Sequence, residues 1–259
     1  MERRLLSPLG VESRQNVVET YLGLALAAKG VKADVLPEWT WVTGVSAVSF
    51  CNFVARFNLT SSQVQKALPM FAKFGSKASS FWMFATDYES PSDMGSRFLD
   101  AGFELRQTLQ QIAWERGPFV DSSPGEEARS MPERLLAARF MTETFFGKTS
   151  VESRNLVTDA TANCKHRLYA WRDGEGIAAA VMLSETAGVL GLYNLCVRPD
   201  VRERGYGSDA VGFIQELAAE KGLAVVLQCQ PELVDWYGKR GFDPVGELRA
   251  FGVPYSGRS

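Results

Sequence analysis

Residues 197 to 213 read VRPDVRERGYGSDAVGF, two glycines set among arginines just before a run with helical apolar spacing. Glycine lacks the Cβ that keeps a ligand off the main chain, and the first turn of a helix carries N–H groups with no intrahelical acceptor, so such a turn can cradle a phosphate. Three classes of phosphate ligand use it. A P-loop requires GxxxxGK[ST], and no Lys-Ser or Lys-Thr follows Gly205 or Gly207; Lys148-Thr149 stands at a helix end. A dinucleotide fingerprint requires GxGxxG opening a parallel βαβ unit, whereas Gly205-Tyr206-Gly207 follows three strand-like runs and continues Ser-Asp-Ala-Val. The third class is a coenzyme A pyrophosphate cradle, in which strand, V-x-P, R-x-x-G-x-G and helix present successive amides to a diphosphate.

The elements around this turn are legible from periodicity. PERLLAARFMTETFFG has Pro132 in a first-turn position and reads as a helix stopped by Gly147; a second helix follows over Val151 to Asn163. RLYAWR, IAAAVMLS and VLGLYNLCV, separated by DGEG and ETAG, predict an antiparallel meander ending at Val197. Beyond the glycine turn a helix runs to Gly222, then a buried strand LAVVLQC, a short helix from Pro231, and a last strand to about Phe251. The order is ααβββαβαβ. In the first half SSFWMFATD reads as a strand, and SDMGSRFLDAGFELRQTLQQIAW repeats helix, Gly-Phe and strand, aligning Gly102-Phe103 with Gly241-Phe242 and Phe98 with Tyr237. No arginine-glycine turn like 202 to 207 precedes Ala113. Between the halves, WERGPFVDSSPGEEARS loses periodicity and gathers Gly, Pro, Ser and acid, as an exposed linker does.

LYNLCVRPDVRERGYGSDAV, with LQCQPELVDWYGKRGF further on, resembles the GNAT superfamily of acyl-CoA-dependent N-acyltransferases over residues 131 to 251. The first half, with WTWVTGVSAVSFCNFVARF and FWMFATD before FLDAGFEL, is similar to the degenerate N-terminal half of bacterial tandem members. The fold class implied is α/β, an α+β mixed sheet: two GNAT-like domains in tandem, each a mostly antiparallel central sheet flanked by helices. Their expected limits are 1–115 for a degenerate domain without the cradle, 116–130 for the linker and 131–259 for the acetyl-CoA-binding domain.

Carried over residue by residue, the resemblance implies that Leu195, Cys196 and Val197 offer main-chain groups to the pantetheine arm and thioester, as an added strand would. Glu203, Arg204, Gly205, Tyr206, Gly207 and Ser208 would wrap the pyrophosphate, with Arg202 and Arg204 adding charge. Gln230 falls where many members have an asparagine contacting the coenzyme. Tyr237, four residues before Gly241, stands where the family often has a tyrosine that protonates the departing thiolate, the general acid. Many members carry a carboxylate base on the strand that here spans Val189 to Val197, but this strand offers only Tyr193 and Asn194, each able at most to order a water. Glu185 and Glu232 flank the region and read as solvated carboxylates. The expected activity is direct transfer of acetyl from acetyl-CoA, as co-substrate, to a primary amine of a small molecule or peptide. The alternatives are a non-catalytic acyl-CoA-binding or regulatory protein, and transfer of a longer acyl group.

Composition narrows the rest. Against 30 Asp+Glu stand 28 Lys+Arg, a formal charge of −2, with no basic tract, so nucleic acid is not an expected partner. Four cysteines without CxxC spacing and one histidine, His166, indicate neither a metal site nor a disulfide framework. Cys196 and Cys229 read as small buried hydrophobes, and His166 has no acidic or serine partner spacing for a triad. Trp39, Trp41 and Trp82 suit either core packing or an acceptor pocket between domains. MERRLLSPLGVESRQN has no hydrophobic signal region and no stretch reaches membrane-span length. A cytoplasmic monomer or homodimer is expected.

Overall fold

Local signals start the helices. The side chains of Thr60 and Ser130 each accept from the main-chain N–H three residues on, while Gln63 and Glu133 reach back to the cap's own N–H, forming two reciprocal capping boxes. The computed structural model describes residues 7–44, 48–78, 80–117 and 122–254. Within them the first half runs α1 (Pro8–Ala27), β1 (Lys32–Val35), β2 (Thr40–Thr43), β3 (Phe53–Ala55), α2 (Ser61–Gly75), β4 (Trp82–Thr86), α3 (Met94–Asp100) and β5 (Glu104–Trp114). The second runs β6 (Glu126–Glu127), α4 (Met131–Phe146), α5 (Val151–Asn163), β7 (Arg167–Asp173), β8 (Gly176–Thr186), β9 (Val189–Val197), α6 (Tyr206–Lys221), β10 (Ala224–Cys229), α7 (Val234–Gly238) and β11 (Asp243–Gly252). From α4 onward this is the order ααβββαβαβ read from periodicity. The stretch 116–130 is not all loop, since Glu126 and Glu127 pair antiparallel with Ala170 and Tyr169 at the sheet edge; residues 118–121 of it lie outside the described residues.

The described strands form one sheet in the order β1-β2-β3-β4-β11-β5-β10-β9-β8-β7-β6, antiparallel except for β3 on β4 and β9 on β10. Each half lends its last strand to the other. β5 lies against β10, pairing Trp114 with Val225 through Gln110 with Cys229, and β11 lies against β4, pairing Leu248 with Thr86 through Phe251 with Met83. The two lent strands pair with each other along most of their length. The lent strands join the two halves into one continuous sheet, in which neither β4 nor β10 presents an open edge of unpaired main-chain groups. The approach to each lent strand is also repeated: Gly102 and Gly241 take φ of +86° and +80°, and Phe103 and Phe242 donate their N–H to the carbonyls of Phe98 and Tyr237.

Alternation along β8 divides the core between the faces of the sheet. Ala180 and Met182 face a layer containing α1, α4 and α5, whereas Ala179, Val181 and Leu183 pack with Val211, Ile214 and Ala218 of α6. A third cluster, around Phe57, Phe71 and Phe98, holds α2 and α3 to the first half. Helix α1 belongs to the first half in sequence but lies on the second. Its buried Asn16 donates to the Ser184 carbonyl (3.0 Å) and Thr186 Oγ1 (2.9 Å) and accepts from Tyr193 Oη (2.7 Å), while Thr20 donates to Ser184 Oγ (2.7 Å). Gly191 makes the fit possible, because a Cβ there would stand 2.1 Å from Asn16 Oδ1.

His166 completes this contact. It is buried, its Nε2 lies 3.3 Å from the Thr20 carbonyl, and burial holds its pKa below the ordinary value. The unfolded chain therefore binds the histidine proton more readily than the folded one, so stability from this group is complete above about pH 6.5. It is lost as the pH falls from there through the lowered native value. The urea midpoint of the wild type is expected to drop between pH 7 and pH 5 more steeply than that of His166→Gln; parallel pH slopes would rule the linkage out.

Candidate functional site

The parallel pairing of β9 with β10 begins at Val189 with Ala224 and ends at Leu192 with Leu227. Beyond those residues the strands fork. On its other side β9 stays paired to β8 across a bulge, the register stepping from Met182 with Tyr193 to Ala180 with Cys196, and Asn194 takes the left-handed conformation at φ +53°. The N–H of Arg198 donates to the Ala178 carbonyl at 2.8 Å. By the alternation of an antiparallel ladder, the N–H groups of Leu195 and Val197 then point away from β8, toward the open side of the fork.

After Val197 the chain makes a short turn over Pro199–Val201 and enters α6 through Glu203 at φ +66° and Gly205 at φ +97°, the latter as its N-cap with no side-chain cap. Gly205 is required by this left-handed backbone rather than by space, since nothing lies within 4 Å of a Cβ built there. Arg202, Glu203, Arg204 and Gly205 are exposed. The N–H groups of Arg202 and Arg204 bond to the carbonyls of Pro199 and Val201, and those of Ser208 and Asp209 bond to Gly205 O. Those of Glu203, Gly205, Tyr206 and Gly207 have no acceptor among the described residues, which concentrates free donors at the positive end of α6. The matching helix of the first half is closed: Thr60 caps α2 with its own side chain.

Ser208 is held from behind. Arg240 donates to Ser208 Oγ and to the Trp236 carbonyl, both at 2.6 Å, and its guanidinium lies 3.5 Å from the centre of the Trp236 indole. Neither Arg240 nor Trp236 was singled out in the sequence. Through Arg240 the stack links α7 to the start of α6, a contact between positions 32 residues apart (208 and 240) that no local pattern announces.

A cleft of about 360 Å³ opens at the fork. One wall is Asn194 and Leu195 of β9 with Cys229 and Gln230 at the end of β10; Tyr237 of α7 lines it as well. Tyr237 is buried, its ring packs edge-on to Trp236 and Phe242 at 4.8 and 5.5 Å, and its hydroxyl makes no hydrogen bond among the described residues. Burial, reinforced by nearby Cys229, pushes its pKa up, so the phenol keeps its proton at any ordinary pH. The opposite wall comes from the first half and from the ends of α4 and α5, with Tyr21, Phe50, Trp82, Phe84, Phe145 and Phe146.

The remaining sequence candidates separate in space. Tyr193 lines the cleft, but its hydroxyl is committed to Asn16, so it braces the bulge instead of presenting a free hydroxyl. The side chain of Asn194 makes no hydrogen bond among the described residues. Glu185 pairs with Lys221 and Arg167, away from the cleft, and Glu232 is exposed. Cys196 and Cys229 are buried, and burial raises their thiols to about 12 and about 11. Trp82 lines the cleft, whereas Trp39 and Trp41 pack on Phe71 in the first half's own core. Gln228 was missed: its buried Nε2 lies near the Tyr193 hydroxyl without closing a hydrogen bond. The dipeptide Gln228-Cys229 within a strand carries no signal by itself. Among the described residues no group of three His, Cys, Asp or Glu could hold a metal ion, and no helix is long and apolar enough to cross a membrane.

Residues 134–242 match the family model described as the acetyltransferase (GNAT) family. No curated protein matches the chain. Among solved structures, a GCN5-related N-acetyltransferase from Kribbella flavida is similar over 95% of this chain and 96% of its own, with a TM-score of 0.68 at 15% identity. A functionally unknown conserved protein from Staphylococcus epidermidis gives a TM-score of 0.60 at 14% identity, covering 86% of this chain and 94% of its own. A tandem GNAT protein from the clavulanic acid biosynthesis pathway gives 0.57 at 10% identity, covering 92% and 94%. At these identities the likeness is one of fold, and that fold is the tandem α/β arrangement expected from the sequence.

Proposed function

We propose that the protein, whose residues 134–242 match the GNAT acetyltransferase family model, transfers the acetyl group of acetyl-CoA directly to an amine of a small molecule. The observation that carries this reading is the meeting, at one cleft, of the fork between β9 and β10 with Tyr237, next to a helix start left uncapped. The free N–H groups of Glu203, Gly205, Tyr206 and Gly207 would hold the pyrophosphate, with Arg202 and Arg204 supplying exposed charge and Ser208 fixed by Arg240. Leu195 and Val197 would pair with the pantetheine arm as a substitute for the strand that β10 ceases to be, and Cys196 would hold the ladder on β8. Gln230, at the mouth, would contact the coenzyme. Because α2 is capped by its own Thr60, the first half would bind no coenzyme, giving one per chain.

In the transfer, a C–N bond forms as the C–S bond breaks, the amine nitrogen loses a proton and the sulfur gains one. A phenol with a pKa raised well above a thiol's does not release its proton outright. Tyr237 instead donates a hydrogen bond to the sulfur as charge develops there, and passes a proton on as one arrives from the attacking nitrogen. The lack of a charged base among the described lining residues favours a second reading, a non-catalytic acyl-CoA-binding protein. Turnover decides between them: with a panel of amines including a diamine, free thiol is expected from acetyl-CoA above the rate without protein. Binding of acetyl-CoA with no thiol release across the panel would reject the enzyme reading.

A further inference from the structure

We infer that the acceptor taken by this cleft is a weakly basic amine, uncharged at neutral pH and carried on an aromatic or otherwise apolar body, as in the arylamine class. The inference rests on the transfer reading above and adds the substrate class. The wall facing the fork is aromatic, Trp82 stacking on Phe84 at 6.1 Å and Tyr21 tilting against Phe84 at 5.4 Å. Among the described lining residues there is no Asp, Glu, His, Lys or Arg.

The titratable groups that face the cleft are Tyr21 from α1, Tyr193 from β9, Cys229 from β10 and Tyr237 from α7. Burial raises all four, Tyr21 to about 12 and Cys229 to about 11, so each is uncharged near neutral pH. An alkylammonium entering here would shed its water with no carboxylate to replace it. It would also need to lose a proton with no base at hand, because an alkylamine of ordinary basicity is neutral in only about one molecule in a thousand or fewer at pH 7.

An arylamine avoids both problems. Its nitrogen is already the neutral nucleophile, and the proton it loses after attack is the one the departing sulfur needs, so the reaction balances with no external base. Gln107, Asn194, Gln228 and Gln230, with the hydroxyls of Ser49 and Thr161, are the polar side chains that remain to orient a neutral substituent, and Gln228 Nε2 is a donor without a partner among the described residues.

Two isomers test this directly. In 4-methylaniline and benzylamine the same atoms place the nitrogen on the ring or one carbon off it. With the full chain and saturating acetyl-CoA, kcat/KM from thiol release is expected to favour 4-methylaniline by about tenfold or more at pH 7. Its rate should be flat between about pH 6.5 and 8.5, while any benzylamine rate rises about tenfold per unit as free amine forms. Gln107→Glu, which keeps the shape of the side chain and adds the missing charge, should shift the ratio about tenfold toward benzylamine. Preference of the wild type for benzylamine, or thiol release with the diamine and with neither isomer, would overturn the inference and leave acetyl transfer standing. No thiol from any amine, with acetyl-CoA binding intact by calorimetry, would overturn the transfer reading and this inference with it.

Discussion

Tyr237→Phe is expected to lower kcat about 10²- to 10³-fold while acetyl-CoA affinity stays within about twofold, the range in which a single positioned proton donor acts. The substitution keeps the ring that packs on Trp236 and Phe242 and removes only a hydroxyl that has no hydrogen bond to lose among the described residues. Stability should therefore hold, which separates loss of chemistry from loss of fold. Because burial raises the phenol's pKa, its deprotonation contributes no descending limb to the rate between about pH 6 and 9. Single-turnover mixing with a slow thiol-leaving step in the variant, against unchanged calorimetric binding, is the required pair of results. An unaltered kcat would remove Tyr237 from the reaction and leave its ring as packing.

The second large effect is on binding. A Cβ at Gly207 would stand 3.6 Å from Trp236 Cζ2 and 3.7 Å from Val197 Cγ2, ordinary contact distances, so the folded chain has room for a side chain there. What a valine would occupy is the approach to the free N–H groups of Tyr206 and Gly207. Gly207→Val should weaken acetyl-CoA binding at least about 10²-fold, roughly 2.7 kcal/mol, with a melting temperature within a few degrees of the wild type. Gly205 makes a poorer test, because its φ of +97° would strain any replacement and mix a backbone effect with a binding effect. Normal affinity in Gly207→Val, measured by calorimetry, would move the coenzyme away from the start of α6.

The legible part of the fold was the part with local causes. Pro132, Gly147 and apolar spacing placed α4 and α5 closely, and the β9 to α6 turn announced itself because left-handed backbone at a helix start needs glycine. The repeat also showed in the sequence, since the same Gly-Phe turn leads into β5 and into β11. The strand exchange did not. The same Gly-Phe lead-in precedes β5 and β11 and does not say which half each strand will join, so the pairing of β5 with β10 and of β11 with β4 rests on contacts between segments far apart in the chain.

The site divides along the same line. VRERGYG and Tyr237 could be read as a ligand turn and a proton donor because each depends on a residue type at a short spacing. Whether Tyr193 is free to act could not, because its partner Asn16 lies on a helix of the other half. Nor could the Arg240 stack that fixes Ser208, or the aromatic wall that Trp82 and Phe84 bring to the fork. The sequence by itself determined the order of elements in the second half and the glycine turn that opens α6. The tertiary structure alone decided which polar groups are already spent on one another and which face an open cleft, because a hydrogen bond across the sheet depends on distances that adjacent residues do not set.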